Sequence, residues 1–501
     1  MAGEISSHRP TVSYTDKLRS LLEIGKSLSA ERDLDKLLHI ILLEVTRVME
    51  AERSSILLVD KERGELWSRI AQGLEIKEIR IPLDKGIAGH VATTGETLNI
   101  PEAYEDPRFN QEVDISTGFR TRSVLCVPMA NRDGDVIGVI QVLNKTDGTF
   151  GADDEDLLLA FAGQAAIAVE NALLYEQIQN LFESFIRASI YAIESRDPAT
   201  SGHSSRVAIM TVGLAECANG IETGQLADIH MTPEMLKELR YASLLHDFGK
   251  IGVRESVLLK ANKLYEHELD NILLRFKLIR RTAEAEYLRK KIKVLQSGPD
   301  GDPGLLRRLD EELKSSLEDV DNNLNFILES NKPSVMPEGN FEMLESIAGL
   351  TWLDPEGNPM PYITPYELDN LSIKKGSLNP QERLDIESHV TKTVEFLEKI
   401  PWTKDIKDLI QIAGGHHEKL DGSGYPHGIK AAAIPYQTRM MTIADIYDAL
   451  TAMDRAYKKA LSTERALDIL GYEAKDGKLD RELLDVFIEA KIYKLTDKGG
   501  A

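Results

Sequence analysis

The stretch His416-His417-Glu418-Lys419-Leu420-Asp421-Gly422-Ser423-Gly424-Tyr425-Pro426 contains two adjacent histidines that lead directly into a Gly-rich polar turn. Packing alone does not explain this combination. The motif His246-Asp247-Phe248-Gly249-Lys250 lies far upstream, and Ala444-Asp445-Ile446-Tyr447-Asp448 lies downstream. Imidazoles and carboxylates of these kinds build metal sites in which neighbouring metals share an Asp bridge. The sequence therefore predicts a metal site assembled from distant segments.

Composition limits the class of protein. The chain has 501 residues, of which 42% are apolar, and a formal net charge of -22. It is long and apolar enough for two or three domains, and its charge argues against DNA or RNA as a partner. Only two cysteines are present, Cys126 and Cys217, which argues against a thiolate metal site. Without an evident signal peptide or bilayer-spanning run, we expect a cytoplasmic protein with no membrane insertion.

The region 15–177 has the pattern of an α+β domain with an antiparallel sheet. Its apolar spacing predicts one helix over 18–49 and a closing helix over 154–181. Strands are predicted over 54–58, 66–70, 123–128 and 136–142. The last two are separated by Asn131-Arg132-Asp133-Gly134-Asp135, which is typical of a hairpin turn.

The region 180–495 contains all the metal-site motifs and is predicted to be an all-α domain, so the chain is multidomain. Helices are predicted over 207–218, 233–245, 380–400, 403–413, 437–453 and 463–470. A helical run over 155–189 connects this region to the preceding one. Its apolar spacing fits either a coiled-coil dimer seam or one amphipathic helix packed on its own domain. We expect a homodimer through it.

An insertion over 263–370 interrupts the helical domain. Two charged helical runs, 264–295 and 305–328, flank the loop Ser297-Gly-Pro-Asp-Gly-Asp-Pro-Gly304. This pattern predicts an antiparallel helical hairpin. Charged helix faces of this kind are more often solvated surface than binding sites.

The metal-site motifs resemble the HD-GYP family of metal-dependent phosphodiesterases, which hydrolyse bacterial cyclic dinucleotides. The resemblance implies seven metal ligands: His203, His246, Asp247, His389, His416, His417 and Asp445. It implies that Asp247 bridges two metals. His203, His246 and Asp445 would complete the first metal, and the other three histidines the second.

The number and kind of metals follow from the same comparison. Some relatives hold a third metal through a Glu four residues before the first histidine, but here Ala199 occupies that position. We therefore expect two divalent metals, and we interpret the nearby Glu194 as a surface or helix-end acid. Nitrogen and oxygen ligands without a thiolate suit iron or manganese, and leave zinc and nickel open.

Basic and aromatic residues near the motifs are candidates for substrate contact. Lys250 lies three residues beyond Asp247, and its ammonium can neutralise a phosphate oxygen. The resemblance implies catalytic roles for Asp247, Lys250 and Lys458 and substrate contacts for Lys250, Gly424, Tyr425, Pro426, Arg455 and Lys458. The alternative is that the lysines are solvated and that the Gly-Tyr-Pro loop only positions the adjacent histidines.

Gly86-Ile87-Ala88-Gly89-His90 and Asn99-Ile100-Pro101 resemble a GAF domain. The candidate ligand contacts are Asn144, Lys145, Phe150, Asp154 and Glu155, which match the NKxnFx3DE pattern of GAF domains that bind cAMP or cGMP. The same residues are also explained by a turn, a core anchor and an acidic helix start. Both interpretations stay open on the sequence alone.

The resemblance implies a cyclic di-GMP hydrolase controlled by its GAF domain. The product is pGpG, with further cleavage to GMP left open. Three alternatives remain: a 3′,3′-cyclic GMP-AMP phosphodiesterase, a catalytically degenerate sensor or interaction protein, and an ordinary HD-type nucleotide phosphohydrolase.

Overall fold

The computed structural model describes residues 25, 28, 30–68, 79–196, 201–296, 303–337, 339–404, 406–452 and 460–496. The chain divides into two compact units, with the boundary between Ser184 and Phe185. The N-terminal unit has the order α1 (Leu34–Val48), β1 (Ala51–Asp60), β2 (Glu65–Ser68), β3 (Ile79–Pro82), α2 (Gly86–Thr94), β4 (Leu98–Ile100), α3 (Glu112–Thr117), β5 (Val124–Ala130), β6 (Val136–Lys145) and α4 (Ala152–Arg196).

One antiparallel sheet with strand order β3-β2-β1-β6-β5-β4 organises this unit. Successive side chains point to opposite faces of a strand, so the sheet has a core on each side. Ile56 and Ile140 pack on one side with α1 and α4. Leu57, Cys126 and Val139 pack on the other side with α2. The predicted α+β fold with an antiparallel sheet is confirmed.

The prediction of one continuous helix over 18–49 is wrong, because residues 31–33 are not helical. Glu31 Oε1 accepts from the backbone N–H groups of Arg32 and Asp33, both at 2.9 Å. Asp33 then caps α1 by accepting from Lys36 N at 3.0 Å. Short acidic side chains bond to nearby backbone in this way, so they favour the start of a helix over its interior.

Helix α4 combines the predicted closing helix and connecting run in 45 continuous residues. By length and composition, it alone among the described helices could cross a membrane, and half of its most apolar window is buried within the protein. Its buried side chains, such as Leu158 and Phe161, belong to the sheet core, which accounts for its hydropathy. Leu174, Ile178 and Leu181 are exposed at spacings of four and three residues. The homodimer that this spacing suggests stays a prediction.

The second unit is helical except for one small hairpin. Its order is α5 (His203–Ala218), α6 (Pro233–Leu245), α7 (Glu255–Leu258), α8 (Glu266–Gln296), α9 (Pro303–Ser330), α10 (Asn340–Ala348), β7 (Thr351–Leu353), β8 (Pro359–Pro361), α11 (Pro365–Leu371), α12 (Pro380–Leu397), α13 (Leu409–Gly414), α14 (Tyr436–Thr451), α15 (Thr463–Lys475) and α16 (Arg481–Glu489). The expected helical domain is present.

Two predictions for this unit are wrong. The pairing of β7 with β8 contradicts the absence of strands. The helix predicted over 403–413 begins only at Leu409. Its start is set from α6, because Glu238 Oε1 accepts from the backbone N–H groups of Asp408 and Leu409 at 2.6 and 3.0 Å. A cap supplied by another helix has no local sequence signal.

The insertion is a subdomain with its own core, which corrects the prediction of a simple hairpin. Helices α8 and α9 do form an antiparallel pair, with Arg280 on α8 contacting Asp321 on α9. Helices α10 and α11 and the β-hairpin complete the subdomain. Ile272 and Phe276 pack with Leu344 and other apolar residues of these elements.

A buried ion pair holds the base of the insertion. Lys260 Nζ lies 2.8 and 2.7 Å from the two carboxylate oxygens of Glu382 on α12, and both side chains are almost fully buried. Tyr265 OH donates to Glu382 Oε1 at 2.7 Å. Beside the pair, Lys263 Nζ donates to the carbonyl of Leu371 at 2.9 Å. The two ends of the insertion are thus fastened to each other and to α12.

Removing one partner of this pair should destabilise the second unit. Lys260→Met leaves the Glu382 carboxylate buried without its cation, and we expect a loss of about 3 kcal/mol in unfolding free energy. Urea unfolding followed by hydrogen exchange of α12 peptides measures the loss. Lys314→Met, at an exposed pair on α9, is the matched control and should change stability by less than about 0.5 kcal/mol. Equal losses in the two variants contradict the role of the pair.

Candidate metal centre

A tight turn after α6 holds three of the predicted site residues. The helix ends at Leu245, and His246 and Asp247 follow directly and are buried. A 3-10 turn over Phe248–Gly252 then brings Lys250 Nζ to 2.8 Å from Asp247 Oδ2. Lys250 therefore lies beside Asp247 as expected, although through a 3-10 turn and not through a continued helix.

Gly249 allows α12 to approach this turn closely. A Cβ atom at residue 249 would lie 1.9 Å from the carbonyl oxygen of His389, so a larger residue does not fit. Gly249 N donates to Thr393 Oγ1 at 2.8 Å, and Thr393 Oγ1 donates to the carbonyl of His246 at 2.9 Å. These contacts hold His389 against the turn although 144 residues separate Gly249 from Thr393.

Helix α14 positions a third part of the site. Thr442 Oγ1 donates to the carbonyl of His416 at 2.9 Å. One turn later, Asp445 Oδ1 lies 3.2 Å from His203 Nε2, and Asp445 Oδ2 lies 3.9 Å from His417 Nδ1. Asp445 is therefore between the histidine that begins α5 and the second of the adjacent histidines.

The loop after the adjacent histidines folds back on itself. The carboxylate of Glu418 accepts from the backbone N–H groups of His427 and Ile429 at 2.7 and 3.1 Å. A Cβ atom at Gly424 would lie 2.4 Å from the backbone nitrogen of Lys419. The glycine is required because two backbone segments meet there.

The seven predicted ligands lie together in the second unit. Two groups, His203, His246, Asp247 and His389, His416, His417, each place their ligand atoms within 4.8 Å of one another. Asp247 Oδ2 lies 3.5 and 3.7 Å from the Nε2 atoms of His246 and His203, and Asp247 Oδ1 lies 3.3 Å from that of His389. A carboxylate with one oxygen toward each group can bridge two cations. The division of ligands between two metals stays a prediction.

Three of the histidines present an unused nitrogen to the site. Each Nδ1 donates to the backbone carbonyl three residues earlier: His246 to Ser243 at 2.6 Å, His389 to Ile386 at 2.5 Å and His416 to Ala413 at 2.6 Å. Their Nε2 atoms are buried and have no hydrogen-bond partner among the described residues. A buried polar atom without a partner is costly, and a donating Nδ1 leaves the Nε2 lone pair free for a metal. The residues present therefore fit a metal.

Burial sets the charge of the second histidine group. Loss of solvation keeps the pKa of His389 below its usual value and that of His416 well below it. Burial also lowers the pKa of His417 to about 4. These three imidazoles are neutral at neutral pH, which is the form that binds a metal.

The carboxylates carry the negative charge of the site. Burial alone would raise the pKa of Asp247, but Lys250 and the surrounding imidazoles hold that pKa well below its usual value. Burial would likewise raise the pKa of Asp445, which the hydrogen bond from His203 lowers instead. Both groups are therefore ionised, as ligands of a cation must be.

Asp448 was not among the predicted site residues. Its Oδ2 lies 2.7 Å from His203 Nδ1, and its Oδ1 accepts from Arg206 Nε at 2.7 Å. Burial lowers the pKa of His203, but Asp445 and Asp448 raise it to about 9. Asp448 orients the His203 ring so that Nε2 faces Asp247 and Asp445. The sequence signal was the i, i+3 spacing of Asp445 and Asp448, which puts both carboxylates on one helix face.

The Gly-Tyr-Pro loop brings an aromatic ring to the histidines. The ring centroid of Tyr425 lies 4.7 Å from that of His417 and 6.5 Å from that of His389. Gly424 and Pro426 flank this tyrosine in the chain. Burial raises the pKa of the Tyr425 phenol, so the group is neutral.

Four residues of the sequence analysis have other outcomes. Arg455, Lys458 and Ala199 lie outside the described residues. Glu194 is near the end of α4, as expected, and is half-buried. Its Oε1 atom is buried without a hydrogen-bond partner among the described residues.

The GAF motif residues contact one another. Asn144 Oδ1 accepts from the backbone N–H groups of Arg122 and Ser123 at 2.6 and 3.3 Å, and its Nδ2 donates to Glu52 and to the carbonyl of Arg120 at 2.8 and 2.9 Å. In the same network, Lys145 Nζ is 2.5 Å from Asp154 and 5.6 Å from the centre of the Phe150 ring, and Glu155 accepts from Asn99 at 2.7 Å. These contacts favour the structural interpretation that the sequence left open.

The sequence comparisons match both units. A GAF domain model matches residues 33–169, and an HD domain model matches residues 362–483. The chain contains a GAF domain and an HD-type domain. The HD match includes His389, His416, His417 and Asp445 but begins after most of the insertion. The fold supplies the remaining ligands from upstream of the matched segment.

Known proteins resemble parts of the chain. A Caenorhabditis elegans protein named probable 3′,5′-cyclic phosphodiesterase pde-5 is 38% identical over 174 residues, which are 32% of this chain and 24% of that protein. The chain thus spans about a quarter of that relative. Among solved structures, a GAF domain of a Coxiella burnetii phosphoenolpyruvate-protein phosphotransferase is 19% identical, with a TM-score of 0.30 over 32% of this chain and 98% of that one. A second GAF domain, from the Acinetobacter phosphotransferase, is 24% identical with a TM-score of 0.29 over 32% and 97%.

Loss of Asp448 should weaken metal binding without unfolding the protein. Asp448→Ala removes the acceptor behind His203, and such partners contribute about 10- to 100-fold to metal affinity. Titration of metal-free protein with Mn²⁺ by calorimetry measures the affinity. The Mn²⁺ affinity of Asp448→Asn should lie between that of Asp448→Ala and that of the wild type. Asp468→Ala, at an exposed aspartate of α15, serves as control. Unchanged Mn²⁺ affinity in Asp448→Ala excludes this positioning role.

Loss of Asn144 should destabilise the GAF domain. Asn144→Ala leaves buried backbone donors without an acceptor, and its backbone has φ 54°, a left-handed conformation that Asn tolerates better than Ala. We expect the unfolding free energy to fall by about 2 kcal/mol. Urea unfolding of the full chain, followed by hydrogen exchange of β5 and β6 peptides, measures this. Asp147→Ala, at an exposed position just after β6, should have no effect, and equal stability of both variants refutes the structural role.

Proposed function

We propose that this chain is a metal-dependent phosphodiesterase that hydrolyses a cyclic dinucleotide and is regulated by its GAF domain. The observation that carries the proposal is the Asp247 carboxylate, which directs one oxygen to each of two histidine groups. Lys250 lies beside the same carboxylate. A cation next to a bridging ligand is suited to a substrate with a phosphodiester, whose charge increases in the transition state.

The ligand set supports two divalent metals, with iron or manganese as the metals of choice. Imidazole and carboxylate ligands without sulfur suit these metals. When bound, paired divalent cations lower the pKa of water and neutralise phosphate charge. His246, His389 and His416 would contribute the Nε2 atoms that lack a partner. Asp247 would bridge the two cations.

Residues of this chain would also bind the substrate. Lys250 Nζ, with 16% of its side chain exposed, would contact a non-bridging phosphate oxygen. The ring of Tyr425 would stack on a purine base, because an aromatic face is available beside His417. Arg455 and Lys458 are also proposed to contact the substrate, on the basis of the family resemblance. Cyclic di-GMP is the proposed substrate, and 3′,3′-cyclic GMP-AMP is the closest competitor.

The GAF domain is the proposed regulatory part, with a cyclic mononucleotide as its ligand. The polar groups of Asn144 and Lys145 already bond to their own domain. The ligand would therefore contact other residues, and the motif would stabilise the domain that forms the site. A ligand changes the hydrolysis rate or affinity only if it binds two states of the protein unequally.

Lys250→Met should keep metals and fold but reduce turnover of cyclic di-GMP about 100-fold, because one contact to the transition state is lost. The assay uses protein loaded anaerobically with iron or with manganese, and compares cyclic di-GMP, cyclic GMP-AMP, cAMP and cGMP. Lys314→Met is the matched surface control. Metal analysis should give two ions per chain.

Each outcome of this assay distinguishes one alternative. Full activity of Lys250→Met removes the lysine from the mechanism. If the metal-loaded wild type binds cyclic di-GMP but does not cleave it, the result supports the alternative of a catalytically degenerate sensor. If it cleaves cyclic GMP-AMP faster than cyclic di-GMP, cyclic GMP-AMP replaces cyclic di-GMP as the proposed substrate. Three metals per chain overturn the two-metal proposal.

A further inference from the structure

Helix α8 of the insertion has two apolar faces. Ile272, Phe276 and Ile279 are buried and belong to the core of the insertion. The opposite side of the helix carries five large apolar side chains that are between 42 and 61% exposed: Leu274, Leu278, Leu288, Ile292 and Leu295. We name these five residues the α8 seam. Nothing else among the described residues covers it.

The spacing of the α8 seam is that of a coiled coil. Starting at Leu274, the steps alternate between four and three residues if Arg281 and Ala285 fill the two central positions. This is a heptad repeat, whose apolar residues fit between those of a second helix. The pattern continues to Leu295 without a break in phase. Scattered exposed apolar residues have no such regularity.

The charges around the α8 seam are unlike those of the whole chain. Residues 275–296 contain eight Lys and Arg and two Glu, whereas the chain has a net charge of -22. Some of these cations are paired within the subdomain, such as Arg275 with Glu367. Lys277 and Arg289 flank the seam on opposite sides and have no carboxylate partner in the described part of the chain. Arg281 lies within the seam, where it donates to Glu284 of the same helix at 2.7 Å, and its side chain is 81% exposed.

We propose that the α8 seam docks an acidic amphipathic helix of a partner protein. The heptad spacing selects a helix, and the flanking cations select acidic residues beside its apolar stripe. A polar residue within a coiled-coil seam specifies register and partner. An Asp or Glu at the facing position of the partner would give Arg281 a second carboxylate beside Glu284.

A second copy of this chain meets like charges in two arrangements of the seam. Two parallel α8 helices would place Arg281 opposite Arg281. An antiparallel pair that joins Leu278 to Leu288 would bring Glu284 close to its own copy and Lys277 close to Lys291. Like charges in these positions disfavour pairing. A lipid surface is also a poor match, because Arg281 is at the centre of the apolar face.

Synthetic helices test the proposal on the full chain. The acidic probe is a four-heptad peptide with Leu at the seam positions, Glu on both flanks and one central Asp. The basic probe has Lys for Glu and Asn for Asp. Mutual repulsion keeps each peptide from pairing with itself. By fluorescence anisotropy at physiological ionic strength, the acidic probe should bind at least about tenfold more tightly than the basic probe.

Variants of exposed residues locate the contact without disturbing the core. Leu288→Glu should abolish binding of the acidic probe, and Leu350→Glu, at an exposed site of the same subdomain, should not. Arg281→Glu should weaken binding of the acidic probe and strengthen binding of a basic probe with a central Lys.

Four results overturn the proposal. They are no binding of the acidic probe, equal binding of both probes, binding that survives Leu288→Glu, and self-association that Leu288→Glu removes in light scattering. A different result assigns the seam to lipid instead. The chain then sediments with anionic phosphatidylserine vesicles, Leu288→Glu abolishes this sedimentation, and neither probe binds.

Discussion

The buried carboxylate of Asp247 is the charge on which the arrangement of the HD-type domain depends. A carboxylate removed from water is costly unless cations and hydrogen-bond donors replace the water. Here the ammonium of Lys250 is 2.8 Å away, and imidazoles approach both oxygens. Lys250 and His246 belong to the same turn as Asp247, but His203 and His389 come from α5 and α12, so the carboxylate is fully surrounded only when these helices have packed. Gly249 and Thr393 make that packing possible, because they let α12 contact the turn that carries Asp247.

The histidines are oriented from behind, by hydrogen bonds on the side away from the site. Three of them donate from Nδ1 to the backbone carbonyl three residues earlier, and the Nδ1 of His203 is hydrogen-bonded to Asp448. The Nε2 atoms of all four are therefore directed into the site by the protein itself, which reduces the reorganisation needed for metal binding. His417 differs, since 28% of its side chain is exposed and Tyr425 lies next to it. With Lys250 also partly exposed, these residues form the more exposed side of the site.

The sequence predicts those parts of the site that short motifs encode, and the structure brings all seven predicted ligands together. It misses contacts that exist only after packing. Glu238 on α6 caps α13, and no local pattern announces a cap from another helix. The GAF motif shows a different limit, because one pattern fits both ligand contacts and internal bonds. The hydrogen bonds of Asn144 favour the internal bonds. The role of Asp448 is predictable from the sequence, because it follows Asp445 at helical spacing.

The position of the insertion between two halves of a metal site has a physical explanation. A long insertion between ligands would separate them unless its ends were held together. Holding the ends together is feasible even for a long insertion, because the entropic cost of closing a loop grows only slowly with its length. Lys260 and Glu382 close the base of the insertion with a buried ion pair, and Lys263 bonds to the carbonyl of Leu371. The α12 helix that carries Glu382 also carries His389. The histidine thus keeps its place whatever the insertion contains, and the outer face of α8 is free to serve a contact that the metal site does not need.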